Sequence, residues 1–160
     1  HGVFTSLLIE ALKGGAADIT GRITAGGIYS YVDKALGPWD QRPIFKTNVA
    51  RFTSIRDVNP QVGIGTIRKL CEYFPSQDAR MELDPSFEPT NSPDDKHEVI
   101  EPYAVPANTE IFADLQKLEG IGLVVPTDEE HMYYAAMRSK GCRLTPMGKQ
   151  YWRLVKENKI

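Results

Sequence analysis

The sequence predicts two linked modules, an α/β segment at the start of the chain and a mixed α+β module at its end. Three observations carry this reading. Apolar residues recur at helical spacing twice within residues 4–36, and short β-rich runs follow them. A stretch with five prolines, residues 84–106, interrupts the periodic patterns. Beyond it, helix, strand, turn, strand and helix patterns succeed one another to the end of the chain. The resulting boundaries are 1–58 for the first module, 59–106 for a helix and a Pro-rich connecting segment, and 107–160 for the last module.

In "FTSLLIEALK", residues 4–13, Phe4, Leu7, Leu8, Ala11 and Leu12 fall on one helical face, and the following "KGG" stops the helix with glycine. The second helix, in "TAGGIYSYVDKALG", puts Ile28, Tyr31, Val32, Ala35 and Leu36 on one face, with Thr24 as cap and Gly37 as stop. "RPIFKT" and "ARFTSIRDV" read as a strand or strand pair, with Phe52 and Ile55 as core candidates. "NPQVGIGTIRKLCEYFP" holds one helix whose apolar face is Ile67, Leu70, Cys71 and Phe74, closed by Pro75. Residues 84–106 read as an extended connecting loop. "ANTEIFADLQKLEGIG" is a helix capped near Asn108, with Ile111, Leu115 and Leu118 facing inward. "LVVPTDEEHMYYAAMRSK" reads as strand, tight turn and strand, and "LTPMGKQYWRLVKENKI" as a closing helix capped by Thr145 with Pro146 in its first turn.

With 160 residues, 41% hydrophobic and 25% charged, the composition is that of an ordinary globular protein. No run approaches the ~20 apolar residues that span a bilayer. The net charge of −2 gives no reason to expect nucleic acid as a partner. Residues 61–160 are the acidic part, with 12 Lys and Arg against 16 Asp and Glu. Cys71 and Cys142 lie far apart without metal-site spacing, which favours a reduced, cytoplasmic protein over a disulfide scaffold. The chain opens at His1 directly into a helical pattern, with no initiator methionine or signal sequence, and reads as a cut inside a larger protein.

"HGVFTSLLIEALKGGAADITGRITAGGIYSYV" followed by "QRPIFKTNVARF" resembles the caspase and metacaspase family of cysteine peptidases. The likeness covers roughly the first third of the chain and matches the C-terminal, small-subunit part of that fold: a helix opening G-x-F-T, a second helix carrying "IYSYV", and the final core strand after "QRP". The resemblance implies a parent that attacks peptide carbonyls with a histidine-activated thiolate and holds the oxyanion with backbone amides. It also implies that the catalytic histidine, the cysteine and the substrate pocket lie upstream of His1, so that this chain alone is inactive. Its expected partner is the N-terminal large-subunit part of the same peptidase. Without it, Phe4, Leu8, Leu12 and a sheet edge are left exposed, and association with another chain is expected.

The residues themselves agree with an inactive fragment. His1-Gly2 looks like the family's base motif, but it runs straight into a helix rather than a loop. Cys71 sits on the apolar face of a helical segment, where burial raises a thiol pKa and lowers its reactivity. Cys142, between Gly141 and Arg143, is the better candidate for exposure, yet no histidine has a reason to neighbour it. Trp39 falls where the family has a loop near the cleft, although a core or surface tryptophan accounts for it. Many bacterial members carry a calcium-like acidic loop at "AADITGRITAGG". With Gly21 at its sixth position, Ala16 and Gly27 take the first and twelfth, so both essential carboxylates are absent and Asp18 belongs to a turn. No residue is assigned a catalytic, cofactor-binding or metal-binding role.

"LQKLEGIGLVVP" and "CRLTPMGKQYW" resemble winged-helix domains of bacterial transcription regulators. In those domains a helix reads the major groove and the wing touches phosphate, and both need positive charge. Here the helix offers Lys117 against Glu110, Asp114 and Glu119, and the turn "PTDEEH" offers three carboxylates. Arg138, Lys140, Arg143 and Lys149 read as a solvated face. The expected role is therefore a regulatory or protein-contact winged helix, with His131, Tyr133 and Tyr134 as residues that the sequence cannot sort between surface and core. A winged-helix DNA-binding transcriptional regulator is the alternative, and a purely structural adaptor the third reading.

Overall fold

The computed structural model describes residues 2–37, 44–48, 53–94 and 99–160. They form two compact units, residues 1–61 and 62–160. The division falls close to the boundary expected at residue 58, but the helix and Pro-rich segment of 59–106 join the last module rather than standing apart.

The N-terminal unit begins with helix α1, Val3–Glu10, which a π-helical turn, Ala11–Gly15, unwinds. Gly14 ends that turn at φ 135°, a conformation suited to glycine. A turn leads into strand β1, Arg22–Thr24, and helix α2, Ala25–Leu36, follows at once. Thr24 Oγ1 accepts the Gly27 amide at 3.1 Å, so the expected cap is in place, and Gly37 at φ 64° stops the helix. Strand β2, Ser54–Asp57, pairs antiparallel with β1. Gly21, at φ 85°, donates its amide to Asp18 O at 2.9 Å and accepts the Val58 amide at 2.8 Å, and a Cβ there would run into the Val58 carbonyl. Two expectations fail here. Ile44–Asn48 carry no regular structure, and Ile55 is 57% exposed rather than core, since among the described residues β2 pairs with β1 alone. Phe52 and the "QRP" of residues 41–43 lie outside the described residues.

The C-terminal unit opens with two short helices, α3 at Ile64–Arg68 and α4 at Leu70–Tyr73, in place of the single helix expected. Their shared apolar face is as read, since Ile67, Leu70 and Phe74 are fully buried and Cys71 is half-buried. Strand β3, Arg80–Glu82, was not anticipated; it lies beside β5, Gly141–Leu144, which lies in turn beside β4, Val124–Thr127. All pairs are antiparallel, with Arg80 opposite Arg143 and Val124 opposite Leu144. Helix α5, Pro106–Gly120, starts two residues before the expected cap, with Pro106 in its first turn. The expected tight turn and second strand are corrected: Met132–Met137 form helix α6, and β5 starts only at Gly141. The reason is burial, since Met132, Ala135 and Ala136 fall at helical spacing and pack inward. Helix α7, Pro146–Lys156, closes the unit, and the Thr145 hydroxyl both accepts the Gly148 amide at 2.9 Å and donates to Gly122 O at 2.6 Å. A Cβ on Gly148 would meet the Leu123 carbonyl, so α7 seats directly on the chain entering β4.

The core of this unit is Phe74, Phe112, Leu115, Leu118, Leu123 and Leu144, with Ile67 and Leu70 from α3 and α4. The Pro-rich segment is more ordered than an extended loop. A 3₁₀ turn, Pro85–Phe87, is buried whole, and Asp84 Oδ1 accepts the Ser86 amide at 2.8 Å. Asn91, fully buried, is the knot of the loop: its amide nitrogen reaches the carbonyls of Pro85 at 3.0 Å, Ile100 at 2.8 Å and Pro102 at 3.0 Å. Its Oδ1 accepts the Ile100 amide at 2.9 Å. Buried backbone groups need partners, and a segment that forms no ladder obtains them from this side chain. Replacing Asn91 by Ala leaves those groups unpaired, with an expected loss of about 2–3 kcal/mol. Urea unfolding should show a lower midpoint at unchanged slope; a midpoint within error of the parent chain would refute the role.

Candidate interaction surfaces

In the N-terminal unit the described, fully buried apolar residues are Ala11, Ile23 and Val32. None of the eight residues of α1 is buried, although five of them are Val, Phe, Leu, Leu and Ile. Val3 is 68% exposed and Phe4 47%. Leu8 and Leu12 are half-buried. Beside Phe4, the side chains of Ile28, Tyr29 and Val32 from α2 and of Ile44 and Phe45 line an apolar cleft of about 190 Å³. Tyr29 and Phe45 stack with centroids 4.9 Å apart. Fully burying one such side chain contributes about 1.5–3 kcal/mol, so this face leaves several such contributions unrealised.

The polar turn beneath it is self-sufficient. Asp18 Oδ1 accepts the Thr20 amide at 2.8 Å, the Thr20 hydroxyl at 2.6 Å and the Arg22 amide at 3.0 Å. Arg22 Nε lies 3.8 Å from Asp18 Oδ2 and donates to Thr20 Oγ1 at 3.2 Å. Asp18 Oδ1 thus takes its partners from within the turn. Among the described residues no three His, Cys, Asp or Glu side chains gather as metal ligands.

Neither thiol is prepared for nucleophilic chemistry. Cys71 donates its Sγ hydrogen to Trp152 O at 3.5 Å, and desolvation holds its pKa above the ordinary thiol value. Cys142, on β5, is fully buried rather than exposed as its Gly-Cys-Arg setting suggested. Desolvation, reinforced by Glu119 and Glu82, pushes its thiol up to about 12. His1 and Trp39 lie outside the described residues. His131, Tyr133 and Tyr134 are all exposed, which settles what the sequence left open.

Along α5, Asp114 does not join a repulsive outer face. It is buried between three donors: Lys69 Nζ at 2.6 Å, Tyr73 OH at 3.0 Å and Lys117 Nζ at 3.3 Å. Desolvation pushes its carboxyl up, but these hydrogen bonds outweigh it and hold the pKa below the usual aspartate value. The carboxylate in turn raises Lys69, first through the hydrogen bond they share, and burial with Asp114 raises Tyr73. The spacing 111, 114, 115, 118 already put Asp114 on the inward stripe, and its burial was legible there. The exposed charges of α5 are Glu110 and Lys117, and the turn after β4 exposes Asp128 and Glu130. Arg143 is exposed on β5, and Arg138 is drawn to Glu129 at 2.8 Å. Lys149 pairs with Asp78. No helix among the described residues is long and apolar enough to cross a membrane.

Two outcomes are expected. Because the folded Asp114 pKa lies below its unfolded value, its contribution is complete above the ordinary aspartate pKa of about 3.9 and is lost as pH falls below it. Asp114→Asn should therefore cost about 1–2 kcal/mol near neutrality, discounted because Lys69 is half-exposed, and should flatten the decline in stability on the acid side. Urea midpoints measured from pH 3 to pH 7 check this, and a parallel acid decline in both proteins would contradict it. Iodoacetamide at neutral pH should modify Cys71 slowly and Cys142 only on unfolding; peptide mapping of a native digest that finds Cys142 labelled first would contradict the burial argument.

Compared with known proteins, the chain matches no family model, no curated protein and no solved structure.

Proposed function

We propose that residues 1–61 are the small-subunit end of a caspase-like cysteine endopeptidase, and that the C-terminal unit is a winged-helix-like module that regulates or docks it. One observation carries the first half: an apolar helix with no buried residue beside an open apolar cleft. A soluble unit that buries so little of its apolar surface is completed by another polypeptide. The sequence resemblance carried by the G-x-F-T helix, the "IYSYV" helix and "QRP" supports reading that polypeptide as the part of the peptidase carrying the nucleophile and its base. The described thiols support a non-catalytic role for this chain, because both are held above the ordinary thiol pKa. Mechanistically, the unit would act as a wall. It backs the catalytic subunit, excludes water from its core and fixes the loops that position substrate, while the cysteine attack and proton transfer take place on the other part.

For the C-terminal unit, the acidic turn after β4 supports protein contact over duplex binding. Phosphate neutralisation supplies most nonspecific DNA affinity, and the exposed carboxylates of Asp128 and Glu130 oppose it.

The test is to express the chain together with the coding sequence that precedes residue 1 in its reading frame. The expected product contains a His-Gly base and a cysteine nucleophile upstream and hydrolyses peptide amides in a thiol-dependent, iodoacetamide-sensitive manner. Phe4→Asp should abolish that activity by separating the two parts, while the chain alone stays inactive. A reading frame lacking the dyad, or a product with the dyad and no hydrolysis, overturns the assignment. Tight, salt-sensitive binding of a DNA duplex at low salt by the chain would instead favour the DNA-binding regulator.

A further inference from the structure

Helix α2 divides its side chains between two concave surfaces of the N-terminal unit. Ile28, Tyr29 and Val32 go to the apolar cleft, whereas Gly27, Ser30, Tyr31 and Lys34, at helical spacing on another face, line a separate depression of about 310 Å³. The segment from Gly15 to Arg22 forms the rest of its lining. Two glycines set how closely these walls approach. A Cβ on Gly15 would fall 2.7 Å from the Tyr31 ring, and one on Gly27 would fall 2.9 Å from Ala16 O. The Tyr31 ring thus lies against backbone, and the depression is shaped before anything enters it.

The polar side chains that line it are mostly donors without work. Among the described residues, the Lys34 ammonium and the hydroxyls of Ser30 and Tyr31 make no side-chain hydrogen bond or ion pair. Arg22 commits only Nε, which donates to Thr20 Oγ1 at 3.2 Å and lies 3.8 Å from Asp18 Oδ2. Its two terminal nitrogens have no partner among the described residues. Asp18 is the carboxylate in this lining, and its Oδ1 already accepts three donors of its own turn. The acid of α1, Glu10, is paired with Lys13 at 3.2 Å. Two cations and two hydroxyls therefore line one space whose carboxylate is largely engaged elsewhere.

We propose that this depression binds the phosphate group of a small phosphate monoester. A phosphate of about −2 charge offers three acceptor oxygens, enough to take the guanidinium, the ammonium and a hydroxyl together, and balances both cations. A carboxylate has one charge and two oxygens and would leave a cation unmatched. The volume stands at the lower end of small-molecule sites, which run from about 300 to 1,000 Å³, so the carrier of the phosphate is small. The site goes beyond the peptidase reading and does not depend on it.

The experiment uses the full chain, isotopically labelled and titrated at low salt and neutral pH with ribose 5-phosphate, with phosphoserine blocked at both ends, and with acetate. Ribose 5-phosphate is expected to shift the amide resonances of residues 15–34 with a Kd on the order of 1 mM. Lys34→Gln and Arg22→Gln should each weaken it about fivefold, and Lys34→Arg should hold it within about twofold. Lys13→Gln, the same charge change on the π-helical turn but outside the depression, should also leave it within about twofold. Lys34 is exposed, so its replacement tests binding in a folded chain. Equal weakening by Lys13→Gln and Lys34→Gln would reduce the effect to net charge and overturn the site. Acetate binding as tightly as ribose 5-phosphate would overturn the phosphate chemistry, and tighter binding of the blocked phosphoserine would overturn the small-molecule source. Shifts by none of the three would overturn the site itself.

Discussion

An amphipathic helix is stable only where its apolar stripe meets another surface, and the two units of this chain meet that requirement differently. In residues 62–160 the stripes of α3, α4, α5 and α7 close on one another and on a three-stranded sheet, so that Phe74, Phe112, Leu115 and Leu118 are fully buried. Among the described residues of the N-terminal unit, α1 buries none of its side chains, and the buried apolar residues are the small or middling Ala11, Ile23 and Val32. The partner proposed for the N-terminal unit follows from that difference in burial, and its identity from the sequence resemblance. Hydrogen bonding there is complete at the Asp18 turn and at the Thr24 cap, so its shortfall is in apolar contact and not in backbone satisfaction.

In the C-terminal unit, polar side chains do work that a larger hydrophobic core would do elsewhere. Asn91 holds three carbonyls and an amide of a segment without ladder bonds. Asp114 ties α5 to the end of α3 and to α4 through Lys69 and Tyr73. Trp152 on α7 donates to Phe74 O at 2.7 Å, and Gln77 donates to Lys149 O at 2.9 Å, so α7 is fastened to the segment after α4 by hydrogen bonds as well as packing. The bonds of Asp114, Trp152 and Gln77 link residues far apart in sequence. That is why the unit can tolerate short helices, of five and four residues, that would not persist alone.

The surface of this unit is governed by the same allocation. Asp114 is drawn inward, while Asp128 and Glu130 of the turn after β4 reach solvent. Because α6 replaces the second half of a hairpin, two tyrosines are carried outward beside that turn. An extended strand would have alternated them between faces, and the acidic and aromatic groups would not have shared one surface.

Local chemistry, read without any fold, determined much of this chain. The helices around residues 4–13, 24–36, 106–120 and 146–156, the Thr24 and Thr145 caps and the Gly37 stop all depend on spacing within a turn or two, which a sequence displays directly. So does the low reactivity expected of Cys71. What needed the tertiary structure was every property set by a distant neighbour. Strand β3 exists because β5 is there to pair with it, and α6 is helical because its apolar residues fit a core that the turn pattern does not reveal. Ile55 lies in solvent because, among the described residues, β2 has only β1 beside it, Cys142 is buried because its strand is the middle of three, and Asn91 is buried because carbonyls six to eleven residues away converge on it. Burial is a relation between segments, and a linear pattern specifies only one partner of that relation.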